Sequence, residues 1–145
     1  MILSDSTVIK FKWLISSSLH TPSVCPVVLL KFQLEPLNVS VLQGSDAQFR
    51  AIMEGEWKEM TWFLNRTLVL VVSANGKETK YMDQFSAEFC SMGNNSCVEF
   101  TIHNASRHNT GPVTCAVLGV AGAKTAYLYV QGKVFNIYQT LLMYV

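Results

Sequence analysis

The side chains in this 145-residue sequence that are most suited to catalysis or metal binding are three histidines and four cysteines. No carboxylate or cysteine stands at metal-ligand spacing around His20, His103 or His108. Cys115 and a histidine are the types needed for a nucleophilic pair, but Cys115 lies in the alternating run GPVTCAV, which is typical of a core strand. Gly-rich phosphate loops, H-E-x-x-H and G-x-S-x-G are all missing from the sequence. We therefore expect no catalytic residue, no metal site and no cofactor, and a protein that is not an enzyme.

A different chemistry is indicated by four N-x-[ST] sequons, the acceptor sites for N-linked glycans. They begin at Asn38, Asn65, Asn94 and Asn104, each at or near a predicted turn or strand end. Four such sites favour a glycoprotein that is secreted or carried on the cell surface. The alternative is chance matching in a sequence rich in Ser, Thr and Asn.

The two ends of the chain differ from its middle. Residues 1–33 resemble a poor signal peptide, because polar residues interrupt the apolar run; a disordered leader is the alternative. Residues 133–145 are an apolar C-terminal tail, either an extra strand, an exposed tail, or coding sequence read beyond an exon. Neither end reaches the ~20 apolar residues of a membrane helix, so we expect no membrane span in this chain. The net charge of +1 argues against nucleic acid as a partner.

Between these ends, residues 34–132 show the period-two alternation of short strands and no helical periodicity. Asn75-Gly76 is a tight-turn signal. The predicted strands lie in LNVSVLQG, AQFRAIM, EMTWFLN, TLVLVVSANGK, QFSAEFC, CVEFTIH, PVTCAVLG and AKTAYLYVQG. The pattern predicts one all-β domain, an antiparallel β-sandwich, with a closed barrel as the alternative.

Several of these segments resemble a variable-type (V-set) domain of the immunoglobulin superfamily. Trp62 in MTWFL matches the tryptophan of strand C, and Asn109-Thr-Gly-Pro-Val-Thr-Cys115 matches the D-x-G-x-Y-x-C motif of strand F. Strands E and G match at Val98, Phe100, Ile102, Ala126, Leu128 and Val130. The segments GEWKEMTW and AYLYVQ are most similar to relatives of the junctional adhesion molecules. The resemblance covers about residues 34–132 and implies an immunoglobulin-like sandwich.

The sequence also departs from that family. Ala51 stands where the family has the cysteine that bonds to strand F, so the resemblance implies that Cys115 is a free, buried thiol near Ala51 and Trp62. Gln84 and Asn109 replace the arginine and aspartate of the usual ion pair. A hydrogen bond between these two amides could take its place without leaving one buried charge uncompensated.

Cys90 and Cys97 flank the turn of a predicted hairpin and could face each other across it. A bridge between them closes ~8 residues and contributes roughly 2.5 kcal/mol in the chain-entropy model. The alternative is two reduced thiols in a loop; the sequons favour the disulfide. The remaining cysteine, Cys25, is the one rival partner for Cys115 and lies in the leader.

The resemblance implies a recognition module from the ectodomain of a cell-adhesion protein, as found at cell junctions. Its expected partner is a protein, in a homophilic or heterophilic contact, with no small-molecule substrate. We expect the GFCC′ sheet face to carry the contacts, with Trp57, Phe63, Val69 and Val71 as candidate partner-binding residues. Alternation would expose Val69 and Val71 in LVLVV, although burial of both faces stays open. The alternatives are an immune-type receptor domain, or a truncated or mispredicted product without independent function.

Overall fold

The computed structural model describes residues 31–132, which form ten strands and one short 3-10 turn at Arg107–Asn109. The strands are β1 (Lys31–Glu35), β2 (Asn38–Leu42), β3 (Ala47–Glu54), β4 (Glu59–Leu64), β5 (Thr67–Ser73), β6 (Glu78–Lys80), β7 (Phe85–Met92), β8 (Asn95–Ile102), β9 (Gly111–Val117) and β10 (Lys124–Gln131). β1 takes in residues 31–33, which the sequence had placed in the leader, because Phe32 packs into the core. Residues 1–30, with Cys25 and His20, and the tail at 133–145 lie outside the described residues.

The strands form two sheets that pack face to face. One has four antiparallel strands in the order β1-β3-β8-β7. The other has six in the order β2-β10-β9-β4-β5-β6, where β2 runs parallel to β10 and the remaining pairs are antiparallel. The predicted β-sandwich is therefore confirmed over the described residues. β5 and β6 extend the six-stranded sheet beyond β4.

The core follows the alternation of the sequence. β3 points Phe49 and Met53 inward, and β4 points Met60, Trp62 and Leu64 inward, while intervening residues face water. The inward residues predicted for β8 and β10 are likewise buried. At the centre, the Trp62 ring stacks on Phe100 with ring centroids 4.6 Å apart. Aromatic packing between facing sheets thus joins the two layers.

A β-bulge interrupts this alternation in β5. Trp62 pairs with Leu70 but Phe63 pairs with Leu68, so Val69 is the extra residue in the β4–β5 ladder. A bulge shifts the side-chain parity by one residue. Val69 is consequently only 4% exposed, next to buried Leu70, and its predicted exposure is wrong.

The cysteines take two different roles. Cys115 and Ala51 are both fully buried, on β9 and β3 of opposite sheets, and Cys115 pairs with Trp62 on the neighbouring strand. Cys115 has no disulfide partner among the described residues, and burial raises the pKa of its thiol well above the ordinary range. Cys90 and Cys97 lie directly opposite each other on β7 and β8, with Cα atoms 4.9 Å apart, and form a disulfide.

The position at which the resemblance implies a buried ion pair holds two amides. Gln84 Nε2 donates to Asn109 Oδ1 at 2.9 Å, which is the hydrogen bond expected from the sequence. The same oxygen accepts the backbone N–H of Ser106 at 2.7 Å. Asn109 is buried, so both contacts satisfy a polar group that would otherwise be costly. The residue just before β7 is joined in this way to the 3-10 turn before β9.

Candidate protein-binding face

The outer face of the six-stranded sheet carries almost no charge. Cross-strand registers place together Asn38, Ser40, Leu42, Glu59, Thr61, Phe63, Leu68, Val71, Ser73, Thr79, Pro112, Thr114, Ala116, Thr125, Tyr127, Tyr129 and Gln131. Among these described positions the single charged side chain is Glu59, at the start of β4. Its central rows join Phe63 to Thr114 and Leu68, and Thr61 to Ala116 and Val71.

The outer face of the four-stranded sheet is charged instead. Its ionic side chains are Lys31, Glu35, Arg50, Glu54, Glu88 and Glu99. Arg50 Nη2 lies 3.0 Å from Glu99 Oε2, and Gln48 Nε2 donates to Glu99 Oε1 at 3.2 Å. Covering such a face would desolvate charges, whereas interface centres are depleted of charge and enriched in aromatic side chains. The six-stranded sheet is therefore the better candidate for a protein contact.

Two of the four predicted partner-binding residues lie on this face. Phe63 and Val71 are half-buried on its central strands. Val69 points into the core because of the bulge. Trp57 is elsewhere, in the link between β3 and β4, and is only 9% exposed.

The burial of Trp57 has a clear cause. Its ring stacks on Phe89 of β7 at 6.0 Å, and its Nε1 donates to Ser96 Oγ at 3.2 Å. Trp57 thus closes one end of the sandwich beside the Cys90–Cys97 hairpin. Trp57 therefore does not lie on the outer face of the six-stranded sheet, where we had expected it, because the sequence pattern does not show which way a loop tryptophan folds.

The sequence reasoning missed two residues of the face, Tyr127 and Tyr129. They are 48% and 53% exposed and lie on β10, where they alternate with buried Ala126, Leu128 and Val130. The signal was present, because the inward assignment of those three residues obliges the tyrosines to face outward.

The four sequon asparagines are all exposed, but their amides differ in packing. Asn38 lies on β2 beside Tyr127 of β10. Asn65 has a positive φ of 51°, and its Nδ2 donates to the backbone carbonyl of His108 at 3.2 Å. Its side-chain oxygen occupies the space that a Cβ on Gly111 would need. Asn94 and Asn104 lie in the β7–β8 turn and after β8.

An unpredicted polar cluster joins Asp46, Ser86 and His103. His103 Nε2 lies 2.7 Å from Ser86 Oγ, and His103 Nδ1 lies 3.1 Å from Asp46 Oδ2. The other carboxylate oxygen accepts the backbone N–H of Asn104 at 3.0 Å. That backbone N–H, together with His103, holds the pKa of Asp46 below its ordinary value.

The order of groups in this cluster is that of a hydrolytic Ser-His-Asp triad, but the Asp46 carboxylate is exposed to solvent, and the cluster links chain segments that are distant in sequence. It ties the β2–β3 turn to β7 and to the end of β8. A cavity of about 430 Å³ lies apart from it, lined by Glu35, Pro36, Gln48, Phe49, Arg50 and Glu99. Across residues 31–132, no group of three or more His, Cys, Asp or Glu side chains could hold a metal ion, and no helix is long and apolar enough to cross a membrane.

Comparison with known proteins shows the fold. No protein-family model matches the sequence. A chain of the Dpr2 Ig1-Ig2 complex with DIP-Theta Ig1-Ig3 is similar over 74% of this chain and 52% of its own length, with 16% identity and a TM-score of 0.58. The teleost fish polymeric Ig receptor ectodomain is similar over 74% of this chain and 51% of its own, with 18% identity and a TM-score of 0.56.

A third similar structure comes from work on multimeric cell-adhesive interactions of VGSC beta subunits. It matches 66% of this chain and 90% of its own length, with 14% identity and a TM-score of 0.54. The chain has an immunoglobulin-like fold. This immunoglobulin-like domain spans about half of the matched chain of the Dpr2–DIP-Theta complex and of the polymeric Ig receptor chain, and almost all of the third.

Proposed function

We propose that this chain is a recognition module of the cell surface or of the secreted space, which binds a protein partner through the outer face of its six-stranded sheet. The observation that carries this proposal is the contrast between the two outer faces. One carries a single charged side chain and has Phe63 and Val71 at its centre, while the other carries six ionic side chains. Neutral, aromatic sheet faces lose little on desolvation and supply large contact areas.

Similar structures support a role in binding other proteins. They include the VGSC beta subunits, whose multimeric interactions are cell-adhesive, the complex of Dpr2 with DIP-Theta, and a receptor ectodomain. We extend this to a V-set cell-adhesion domain, supported by the added strands β5 and β6. The resemblance of GEWKEMTW and AYLYVQ to immunoglobulin superfamily member 5, a relative of the junctional adhesion molecules, suggests a junctional partner, either a second copy or another surface protein.

The proposed location rests on covalent chemistry. Disulfides persist in oxidising compartments, and the Cys90–Cys97 bridge is such a bond. Asn38, Asn94 and Asn104 are exposed sequon residues that a secreted chain would offer for glycosylation. We therefore propose a glycoprotein, part of a longer membrane-anchored form or secreted, that acts by binding and without catalysis.

The test compares one lysine on each outer face. Val71→Lys places a charge at the centre of the proposed binding face, and Ile52→Lys places the same charge on the opposite outer face at a matching half-buried mid-strand position. Self-association of the wild type and of both variants is measured by sedimentation velocity over a concentration series. Cell binding is measured by applying multimers of each protein to epithelial and lymphoid cells.

We expect Val71→Lys to weaken self-association or cell binding by about tenfold or more, since burial of an unpaired charge costs over ~1.4 kcal/mol. Ile52→Lys should leave both measurements unchanged. Equal loss in both variants would contradict the assignment of the face. A wild-type protein that stays monomeric and binds no cell would contradict the recognition function, and would indicate a product without independent function.

A further inference from the structure

One sequon lies on the proposed binding face itself, beside exposed aromatic side chains. β2 runs parallel to β10, and the register pairs Asn38 with Tyr127 and Ser40 with Tyr129. Paired residues of neighbouring strands point to the same side of a sheet and lie ~4.8 Å apart. The Asn38 side chain therefore emerges next to the Tyr127 ring.

This edge is the most exposed apolar part of the face. Tyr127 and Tyr129 are about half exposed, and Leu42, the last residue of β2 on the same face, is exposed as well. Phe63 and Val71 in the central strands are less accessible. Exposed apolar patches of this kind indicate that something covers them.

A sugar is a suitable cover for this patch. One face of a pyranose ring presents C–H groups that pack on an aromatic ring, while its hydroxyl groups stay in water or bond to tyrosine hydroxyls. Asn38 is also free to carry the sugar, because within residues 31–132 its side-chain amide makes no hydrogen bond. The Asn65 amide, in contrast, is engaged with His108 and packed against Gly111.

We propose that an N-linked glycan on Asn38 folds onto Tyr127 and Tyr129 and covers the β2–β10 edge of the face. A protein partner then contacts the part formed by β9, β4 and β5, with Phe63 and Val71 at its centre. The glycan sets the boundary of the interface and protects a sheet edge from unwanted pairing. This inference rests on the proposed secretory location, because N-glycans are added there.

The test is hydroxyl-radical footprinting of the full chain secreted from mammalian cells, with tyrosine oxidation read by mass spectrometry. Asn38→Gln removes the proposed cover, and Asn94→Gln removes a sequon in the β7–β8 turn of the other sheet. We expect Asn38→Gln to raise the Tyr127 oxidation rate several-fold and Asn94→Gln to leave it unchanged. Tyr81, which is 58% exposed after β6 at the opposite edge, is the internal reference.

Enzymatic removal of glycans from the folded wild-type protein gives the same comparison without a substitution, should Asn38→Gln fail to be secreted. A glycosylated Asn38 with an unprotected Tyr127 overturns the inference and leaves the proposed function standing. A protein that carries a glycan on Asn94 but none on Asn38 also overturns the inference and leaves the proposed function standing. A native protein with no glycan at any of the four sequons overturns the inference and the secretory location together.

Discussion

Replacement of Ala51 by cysteine should create a covalent link between the two sheets. Ala51 on β3 and Cys115 on β9 are fully buried in one hydrophobic core, on sheets that face each other. Ala51 has a small side chain, and the substitution adds a single sulfur atom. A disulfide forms where two Cα atoms lie within about 7 Å with Cβ atoms directed toward each other. In an oxidising medium we therefore expect Ala51→Cys to bond to Cys115.

The size of the effect follows from the loop that the new bond closes. A loop of about 65 residues loses enough unfolded-state entropy to add roughly 4 kcal/mol to the free energy of unfolding. This is a large fraction of the ~5–15 kcal/mol that stabilises an ordinary domain. In guanidinium chloride the midpoint should rise by about 1 M or more, and it can be followed by the fluorescence of Trp62 and Trp57.

Two controls distinguish the stabilising effect of the new disulfide from any effect of the added sulfur atom itself. All variants carry Cys25→Ser, which removes the cysteine outside the described residues. The double variant Ala51→Cys with Cys115→Ala keeps the new sulfur and removes its partner, so it should show no gain. If Ala51→Cys folds under oxidation yet keeps two thiols that become reactive only on unfolding, residues 51 and 115 do not face each other across the core, and the expectation of a bond between them is refuted.

Three smaller effects follow from other contacts. Replacement of both Cys90 and Cys97 by serine should lower the free energy of unfolding by roughly 2.5 kcal/mol, measured by urea denaturation. The folded-state pKa of Asp46 lies below its ordinary value of 3.8. The Asp46 carboxylate therefore contributes to the free energy of unfolding above that value, and the contribution is lost as pH falls through the folded-state pKa. Asp46→Asn should remove this part of the acid dependence of the urea midpoint. Gln84→Ala deletes the hydrogen bond to Asn109 and should cost about 1 kcal/mol, whereas a cost near zero would show that the Gln84–Asn109 bond does not stabilise the fold.

The strands and their inward faces could be predicted because the alternation is local. In EMTWFL the apolar residues recur every second position, and Met60, Trp62 and Leu64 are the buried ones. The amide pair at Gln84 and Asn109 could be predicted as well, through the resemblance, because each residue occupies a family position that normally holds one member of a pair.

Features that depend on distant chain segments could not be predicted. Val69 is buried because the β4–β5 ladder skips it, and nothing in the run LVLVV marks the skipped residue. The fate of Trp57 is decided by Phe89 and Ser96, more than thirty residues further along the chain. The cluster around His103 likewise depends on Asp46, which only the pairing of β3 with β8 brings close.

The position of the disulfide explains which part of the fold needs a covalent restraint. β7 is an edge strand, and its register with β8 places Glu88 directly opposite Glu99. Like charges at such positions are destabilising. Arg50 forms an ion pair with Glu99 but not with Glu88. The Cys90–Cys97 bridge lies two residues further along the same ladder and fixes the register despite that repulsion.

The two sheets, in contrast, are joined by the stacking of Trp62 on Phe100 and by close-packed aliphatic residues. The layers have no disulfide between them among the described residues and therefore depend on packing contacts, whereas removal of Cys90–Cys97 would leave an edge strand without its covalent restraint.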